Sequence, residues 1–364
     1  MKISDKHWQT IWYNDGDNYF SVIDQSVLPH KFEIRNITSS IEAFFAIKNM
    51  IVRGAPLIGV TGAYGFALGI KENPSDDNLK QTFEYLNSAR PTAVNLNWGL
   101  KRVLNKVITE DPSNRFNKAL LEAKDIERED KEMCSKIGEF GKSIIENIYE
   151  KNNLKSRNLP INILTHCNAG WLATVDWGTA LAPIYKAHRA GINLHIWVDE
   201  TRPRNQGANL TSFELKGEDI PHTVITDNAG GYLMQNGEVD LVMVGSDRTT
   251  SKGDVCNKIG TYLKALAAKD NEVPFYAALP ISTIDWEISD GLKEIPIEAR
   301  SPEEVSFISG KNNMGQIQKV QITPDETKCF NPSFDVTPSN LVTGLITEKG
   351  ICKANLNSLG ELYK

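Results

Sequence analysis

Between residues 161 and 279 the chain alternates short apolar, β-branched runs with longer stretches of helical periodicity. The runs fall at 161–165, 193–198, 222–226, 240–245 and 274–279, and helices are predicted between them at about 172–190, 207–216, 229–236 and 257–269. Strands and helices alternating at this spacing make βαβ units and a parallel, doubly wound sheet. Upstream the pattern changes. "FSVIDQSVLP" and "KFEIRNI" alternate with period two and predict a small antiparallel meander, and residues 39–52 then turn helical. In "VRGAPLIGVTGAYGFALG" the next helix is expected to start near Pro56, because proline suits a first helical turn. The glycines of that helix would let another backbone come close. From about 116 to 150, Ile126, Met133, Ile137, Phe140, Ile144 and Ile148 form one apolar stripe on a charged helix. The expected architecture is a smaller α+β N-terminal domain over 1–125 and an α/β domain over 126–364, entered through this long connecting helix.

Composition narrows the partners. The 364 residues are 40% hydrophobic and 24% charged, an ordinary globular balance. A net charge of −6 gives no reason to expect nucleic acid or an anionic membrane, so an anionic substrate would need local positive charge. The opening "MKISDKHWQTIWYNDG" lacks the apolar core of a signal peptide, and no stretch approaches the roughly 18–20 apolar residues of a membrane span. Five cysteines without a CxxC pair fit reduced thiols in a cytoplasm. No dinucleotide fingerprint follows the first strand of the series, and no Walker, metal-ligand or Ser/His/Asp pattern is present, so metal catalysis has little support.

Ligands of an open parallel sheet bind beyond the carboxyl ends of its strands. Those ends carry Thr165-His166-Cys167-Asn168, then Asp199-Glu200-Thr201-Arg202-Pro203-Arg204 with Gln206, Asp227-Asn228, Gly245-Ser246-Asp247-Arg248 running on to Asn257-Lys258, and Ser282-Thr283. Five such loops on one edge point to a site. Asp227 reads as a helix N-cap, His166 as a hydrogen-bonded structural histidine, and Asp199 with Glu200 as members of an ion-pair network with Arg202 and Arg204. Cys167 stands beside an expected helix N-terminus, which favours its thiolate. Asp247 is either salt-bridged and ionised or screened from water and held as a proton donor. For an anion the candidates are Arg53-Gly54-Ala55 before a helix start, Arg90, and Lys258.

"VRGAPLIG", "ARPTAVNLNW", "THCNAGWLAT", "VDETRPRNQGANLTSFEL", "ITDNAGGYLM", "VGSDRTTSKGDVCNKIGTY" and "STID" together resemble the S-methyl-5-thioribose-1-phosphate isomerases of methionine salvage, relatives of the alpha, beta and delta subunits of translation initiation factor 2B. The resemblance covers roughly residues 10–350. It implies a cofactor-free, homodimeric, cytoplasmic aldose–ketose isomerase with a Rossmann-like C-terminal domain. By motif, Asp247 corresponds to the family's proton donor and Cys167 to its catalytic cysteine, as transition-state stabiliser or base. Substrate contacts fall on Arg53, Gly54, Ala55, Arg90, Gln206, Asn257 and Lys258. The chain departs from the family's usual pattern at Ser246 and Thr249, where GADRI is common, and at Trp171, where a smaller residue is usual. These changes touch the pocket wall and leave the reactive pair intact. Rival readings are a 5-deoxyribose 1-phosphate isomerase, a ribose 1,5-bisphosphate enzyme, for which a second basic cluster is missing, a non-catalytic initiation factor 2B-like subunit and a dehydrogenase.

Overall fold

A computed structural model describes residues 1–3, 6–90 and 93–363. Strands β1 (Lys2–Ile3) and β2 (Lys6–His7) pair antiparallel, and β3 (Ile11–Asn14), β4 (Tyr19–Ile23) and β5 (Ile34–Ile37) form the expected meander. Helices α1 (Ser40–Lys48), α2 (Ala55–Glu72), α3 (Asp76–Asn87) and α4 (Val94–Val107) follow. Ser39 caps α1 by accepting the Glu42 N–H. Helix α2 is buried over nearly its whole length, and the small residues foreseen along it do bring backbones together: a Cβ on Gly59 would lie 2.8 Å from the Asn95 carbonyl oxygen of α4.

Helix α5 (Pro112–Lys151) is one continuous run of 40 residues, about 60 Å at 1.5 Å per residue. Asp111 starts it by accepting the Ser113 N–H, and Pro112 fits the first turn. Its early residues Ala119, Ala123 and Ile126 belong to the core of the N-terminal half. Its later residues Ile137, Ile144, Ile145 and Tyr149 belong to the core beneath the large sheet. Residue 125 therefore falls inside the helix, which serves both halves.

The remainder builds that sheet and its flanks. In order come β6 (Ile161–Thr165), α6 (Leu181–Arg189), β7 (Leu194–Asp199), α7 (Ser212–Gly217), β8 (His222–Ile225), α8 (Ala229–Gln235), β9 (Leu241–Val244), β10 (Arg248–Thr250), β11 (Val255–Lys258), α9 (Thr261–Asp270), β12 (Phe275–Ala278) and β13 (Ile284–Asp285). Then follow α10 (Gly291–Glu294), α11 (Glu303–Ser306), β14 (Phe307–Lys311), β15 (Ile317–Gln321), β16 (Phe334–Thr337), β17 (Gly344–Thr347), β18 (Gly350–Cys352) and α12 (Leu356–Leu362). The seven-stranded order is β18-β17-β12-β9-β6-β7-β8, parallel throughout except for β17 with β18. Alternation sorts the side chains: Ile161, Ile163, Leu241 and Met243 face the core shared with α5 and α6, while Leu164, Val242 and Val244 face the opposite one. A second sheet, β13-β10-β11-β16, stands over the carboxyl edge.

The chain runs β6 to β8 in one direction and β9 to β17 in the other, so the order reverses between β6 and β9. That reversal opens a crevice. Two expected helices are shorter than their sequence patterns. Residues 174–180 are irregular, because Trp177 and Gly178 take left-handed backbone angles (φ 70° and 80°) and the Thr174 hydroxyl donates to the Asp176 carbonyl. Residues 255–258 are a strand, and α9 begins only after Gly260, at φ 103°. Among the described residues, no helix is long and apolar enough to cross a membrane.

Leu241 is fully buried at the centre of the sheet. Leu241→Ala is expected to lower unfolding free energy by about 2–5 kcal/mol in urea titration.

Candidate active site

Strands β6 and β9 are hydrogen-bonded neighbours, with Leu164 paired to Val242. Cys167 lies two residues past the first and Asp247 three past the second. The pairing therefore brings together positions eighty apart in the chain. They line one cleft of about 380 Å³ with Arg53, Gly54, Asn168 and Asn257. Gly54, at φ 94°, begins α2, and a Cβ there would lie 2.4 Å from the Ala173 carbonyl oxygen. Glycine alone fits. Ala55 and Pro56 also line the cleft, so the positive end of an 18-residue helix, with no side chain capping it, meets Arg53 at the cleft wall.

Beyond Asp247 a second pocket of about 400 Å³ opens, sharing Ala55 and Asp247 and walled by Ile58, Cys256, Ile295 and Phe334, with Arg90 at its side. Arg53 borders a third, of about 370 Å³, which includes Gln206. The Gln206 Oε1 is buried and unpartnered among the described residues. Arg90 holds Glu298 through Nη2 at 3.2 Å while its buried Nε has no partner among the described residues. The adjoining Pro91 and Thr92 of the "ARPTAVNLNW" motif lie outside the described residues. Asn257 donates to the Thr261 hydroxyl at 3.0 Å. Lys258 ends a strand rather than opening a helix, buried with its ammonium 5.5 Å from the Phe334 ring centre.

Cys167 departs from the sequence reading in one respect. No helix starts at it. Its backbone is left-handed (φ 66°), pinned by its N–H donating to the Thr201 hydroxyl at 2.8 Å and its carbonyl accepting from Thr211 at 2.7 Å. Burial pushes the thiol above its ordinary 9.0, while Arg53 and Lys258 pull the other way. The resting group is the neutral thiol. Burial likewise raises the Asp247 carboxyl, against the pull of Arg90, Arg53 and Lys258. Of the two states the sequence left open, the salt-bridged one is absent: Asp247 has no ion pair among the described residues, and neighbouring Arg248 is engaged by Asp285. Asp247 is held in place through its N–H, which donates to the Cys256 carbonyl at 2.9 Å.

The other polar loop residues hold the floor. His166, fully buried, hydrogen-bonds Asp199 Oδ2 through Nδ1 and the Ile259 carbonyl through Nε2, both at 2.8 Å. The Lys264 ammonium lies 3.0 Å from the same Asp199 oxygen and also donates to the Asp227 carbonyl. The expected pairing of Asp199 with Arg202 and Arg204 does not form: Arg202 bonds backbone carbonyls and Arg204 pairs with Glu304. Asp227 does not cap α8. Its carboxylate takes the Thr201 and Arg202 N–H groups at 2.7 Å each, fixing the loop that reaches Cys167. His166, Asp199 and Asp227 bring three possible metal ligands within 4.8 Å, but Lys264 already supplies the cation there.

Sequence reasoning placed Thr201 at the site without giving it a role, and missed Thr211 and Glu214 as parts of it. Thr211 ends a π-helical turn, Gly207–Thr211, that aims its hydroxyl at the Cys167 carbonyl. Glu214 lies on a short helix where a carboxylate reads as solvent-facing, yet it is 1% exposed. No local signal marks it.

The chain matches the model of the Initiation factor 2 subunit family over residues 51–354. It is 54% identical over 364 residues to the methylthioribose-1-phosphate isomerase of Methylocella silvestris, covering all of this chain and 99% of that one. To the protein of the same name from Methylobacterium nodulans it is 55% identical over 363 residues, covering 100% and 98%. The solved 5-methylthioribose 1-phosphate isomerase of Pyrococcus horikoshii superposes with a TM-score of 0.82 at 37% identity, over 98% of this chain and 96% of that one. Subunit delta of translation initiation factor eIF-2B from A. fulgidus gives 0.78 at 39% identity, over 98% and 99%.

Alkylation of Cys167 by iodoacetamide, read peptide by peptide, is expected to be slow near neutral pH and to accelerate as pH rises past the thiol's ordinary 9.0. Lys258→Met removes a cation that favours the thiolate, so alkylation should slow further. Faster alkylation in that variant would contradict a thiolate-favouring pull from the Lys258 ammonium.

Proposed function

The chain belongs to the initiation factor 2 subunit family and, within it, to the methylthioribose-1-phosphate isomerases, and from that premise we propose how its cleft works. The reaction converts S-methyl-5-thio-α-D-ribose 1-phosphate to S-methyl-5-thio-D-ribulose 1-phosphate, a step of methionine salvage. The observation that carries the mechanism is Cys167 and Asp247 on one cleft with the Arg53 guanidinium and the start of α2.

The anomeric oxygen of a sugar 1-phosphate is esterified, so the ring does not open by ordinary mutarotation. Protonation of the ring oxygen must accompany cleavage of its bond to C1. Asp247, raised by burial, supplies that proton. C1 is left electron-deficient. Hydrogen then moves from C2 to C1 with its electron pair, the C2 hydroxyl loses its proton to the Asp247 carboxylate, and C2 becomes the ketone. The carboxyl thereby returns to its starting form.

Cys167 acts as the polarisable neighbour of the reacting carbons, steadying charge in the transition state. A buried thiol pushed above its ordinary range is a poor base, which favours this role over abstraction at C2. The phosphate is held by Arg53 with the backbone of Gly54 and Ala55, and Arg90, Gln206, Asn257 and Lys258 make the remaining substrate contacts. The methylthio end takes the apolar pocket beyond Asp247, whose walls are Ile58, Ile295 and Phe334. The protein acts as a cytoplasmic homodimer, without cofactor and without nucleic-acid or membrane partners.

Asp247→Asn is expected to fold normally and to lose about 10²–10⁴-fold in turnover, the range of a general acid. Near-wild-type rates would remove Asp247 from the chemistry. Turnover of methylthioribose 1-phosphate in deuterated water should give product without solvent deuterium at C1 by NMR. Deuterium at C1 would replace the hydride shift with proton abstraction.

A further inference from the structure

Arg53 is buried, 8% exposed, and yet among the described residues it forms no ion pair. Its guanidinium is held instead by one neutral residue: Nη1 donates to Asn168 Oδ1 and Nη2 to the Asn168 carbonyl at 2.8 Å. The amide of Asn168 passes the interaction on. Its Nδ2 donates to Glu214 Oε1 at 3.0 Å and to the Thr211 hydroxyl at 3.2 Å. The Glu214 carboxylate is 1% exposed and accepts four hydrogen bonds in all, the others from the Trp171 and Leu172 N–H groups and the Tyr185 hydroxyl.

A buried guanidinium needs a counter-charge nearby, because each uncompensated buried ion costs several kcal/mol. A carboxylate in direct fork contact would supply it, but would also cancel the charge that an anionic ligand requires. An amide between the two separates these demands. We infer that Glu214, acting through Asn168, is the positioning counter-charge of Arg53, and that the amide spacer leaves the arginine's charge open to the substrate phosphate. The inference rests on the reading of the cleft as a sugar phosphate site. The mutual influence of the two groups agrees with it: the positive charge of Arg53 is among the factors that hold the Glu214 carboxyl down against its burial. Neither Asn168 nor Glu214 need touch the sugar for this, so both are positioning residues.

Glu214 also ties down the turn at Trp171 and Leu172, so its simple removal would confuse position with fold. Asn168→Asp combined with Glu214→Gln is the sharper test, since it moves the carboxylate onto the guanidinium and leaves an amide opposite it, whereas Asn168→Asp alone would set two buried carboxyl groups against each other across 3.0 Å. Its expected effect is a loss of affinity for inorganic phosphate of about tenfold or more by calorimetry. KM for the sugar phosphate should rise by a similar factor while kcat changes little. Unchanged phosphate affinity in that folded double variant would overturn the inference. Should it fail to fold, Glu214→Gln alone, which keeps the hydrogen bond and removes the counter-charge, is expected to change phosphate affinity, and no change would overturn the inference. Arg53→Ala should abolish phosphate binding. If it does not, the phosphate site lies elsewhere and the inference falls with the reading beneath it, a failure distinct from a silent double variant.

Discussion

The hydrogen-bonded pairing of β6 with β9 is the constraint on which the site depends. Parallel neighbours in register deliver their following loops to the same edge, and here the register sets Leu164 against Val242. A thiol and a carboxyl on those loops have to meet. Because the chain turns away from this seam in opposite directions, nothing covers the crevice from within the sheet. Helix α2 and the small sheet β13-β10-β11-β16 close it from outside. The cleft is therefore assembled from both halves of the chain, the thiol and carboxyl coming from the sheet of the second and Arg53 with the start of α2 from the first.

Burial is the second common thread. The thiol and the carboxyl are both driven toward their neutral forms, and the same two cations, Arg53 and Lys258, oppose this in each case. An arrangement of neutral acids surrounded by cations lacking close carboxylates suits an anionic ligand. The floor is organised oppositely, with the Lys264 ammonium 3.0 Å from Asp199 and the His166 ring set between Asp199 and the Ile259 carbonyl. Lys264 is paired at short range with Asp199, whereas Arg53 and Lys258 form no ion pair among the described residues.

Much of this is legible in the residues. The central strands β6 and β9 are buried on both faces, and such strands must be continuous apolar runs, so "INILT" and "LVMV" declare themselves. The position of Cys167 and Asp247 at strand ends follows from the same pattern. What the residues hide is non-local. Asp227 has the credentials of a helix cap, but two N–H groups from another loop reach it first. The thiol of Cys167 looks activated if a helix begins there, and the left-handed backbone at Trp177 and Gly178 delays that helix to Leu181. Lys258 reads as standing at a helix start because the alternation in "VCNK" is too short to announce a strand. Glu214 carries no signal at all, since only the folded chain encloses it.

Helix α5 has one more consequence. Its first half is embedded in one apolar cluster through Ala119, Ala123 and Ile126, and its second half in another through Ile137, Ile144 and Tyr149. Melting either cluster strips cover from the same rod, and fraying a helix from its middle breaks the ladder on both sides. Loss of packing in either cluster therefore removes support from a helix that both halves use.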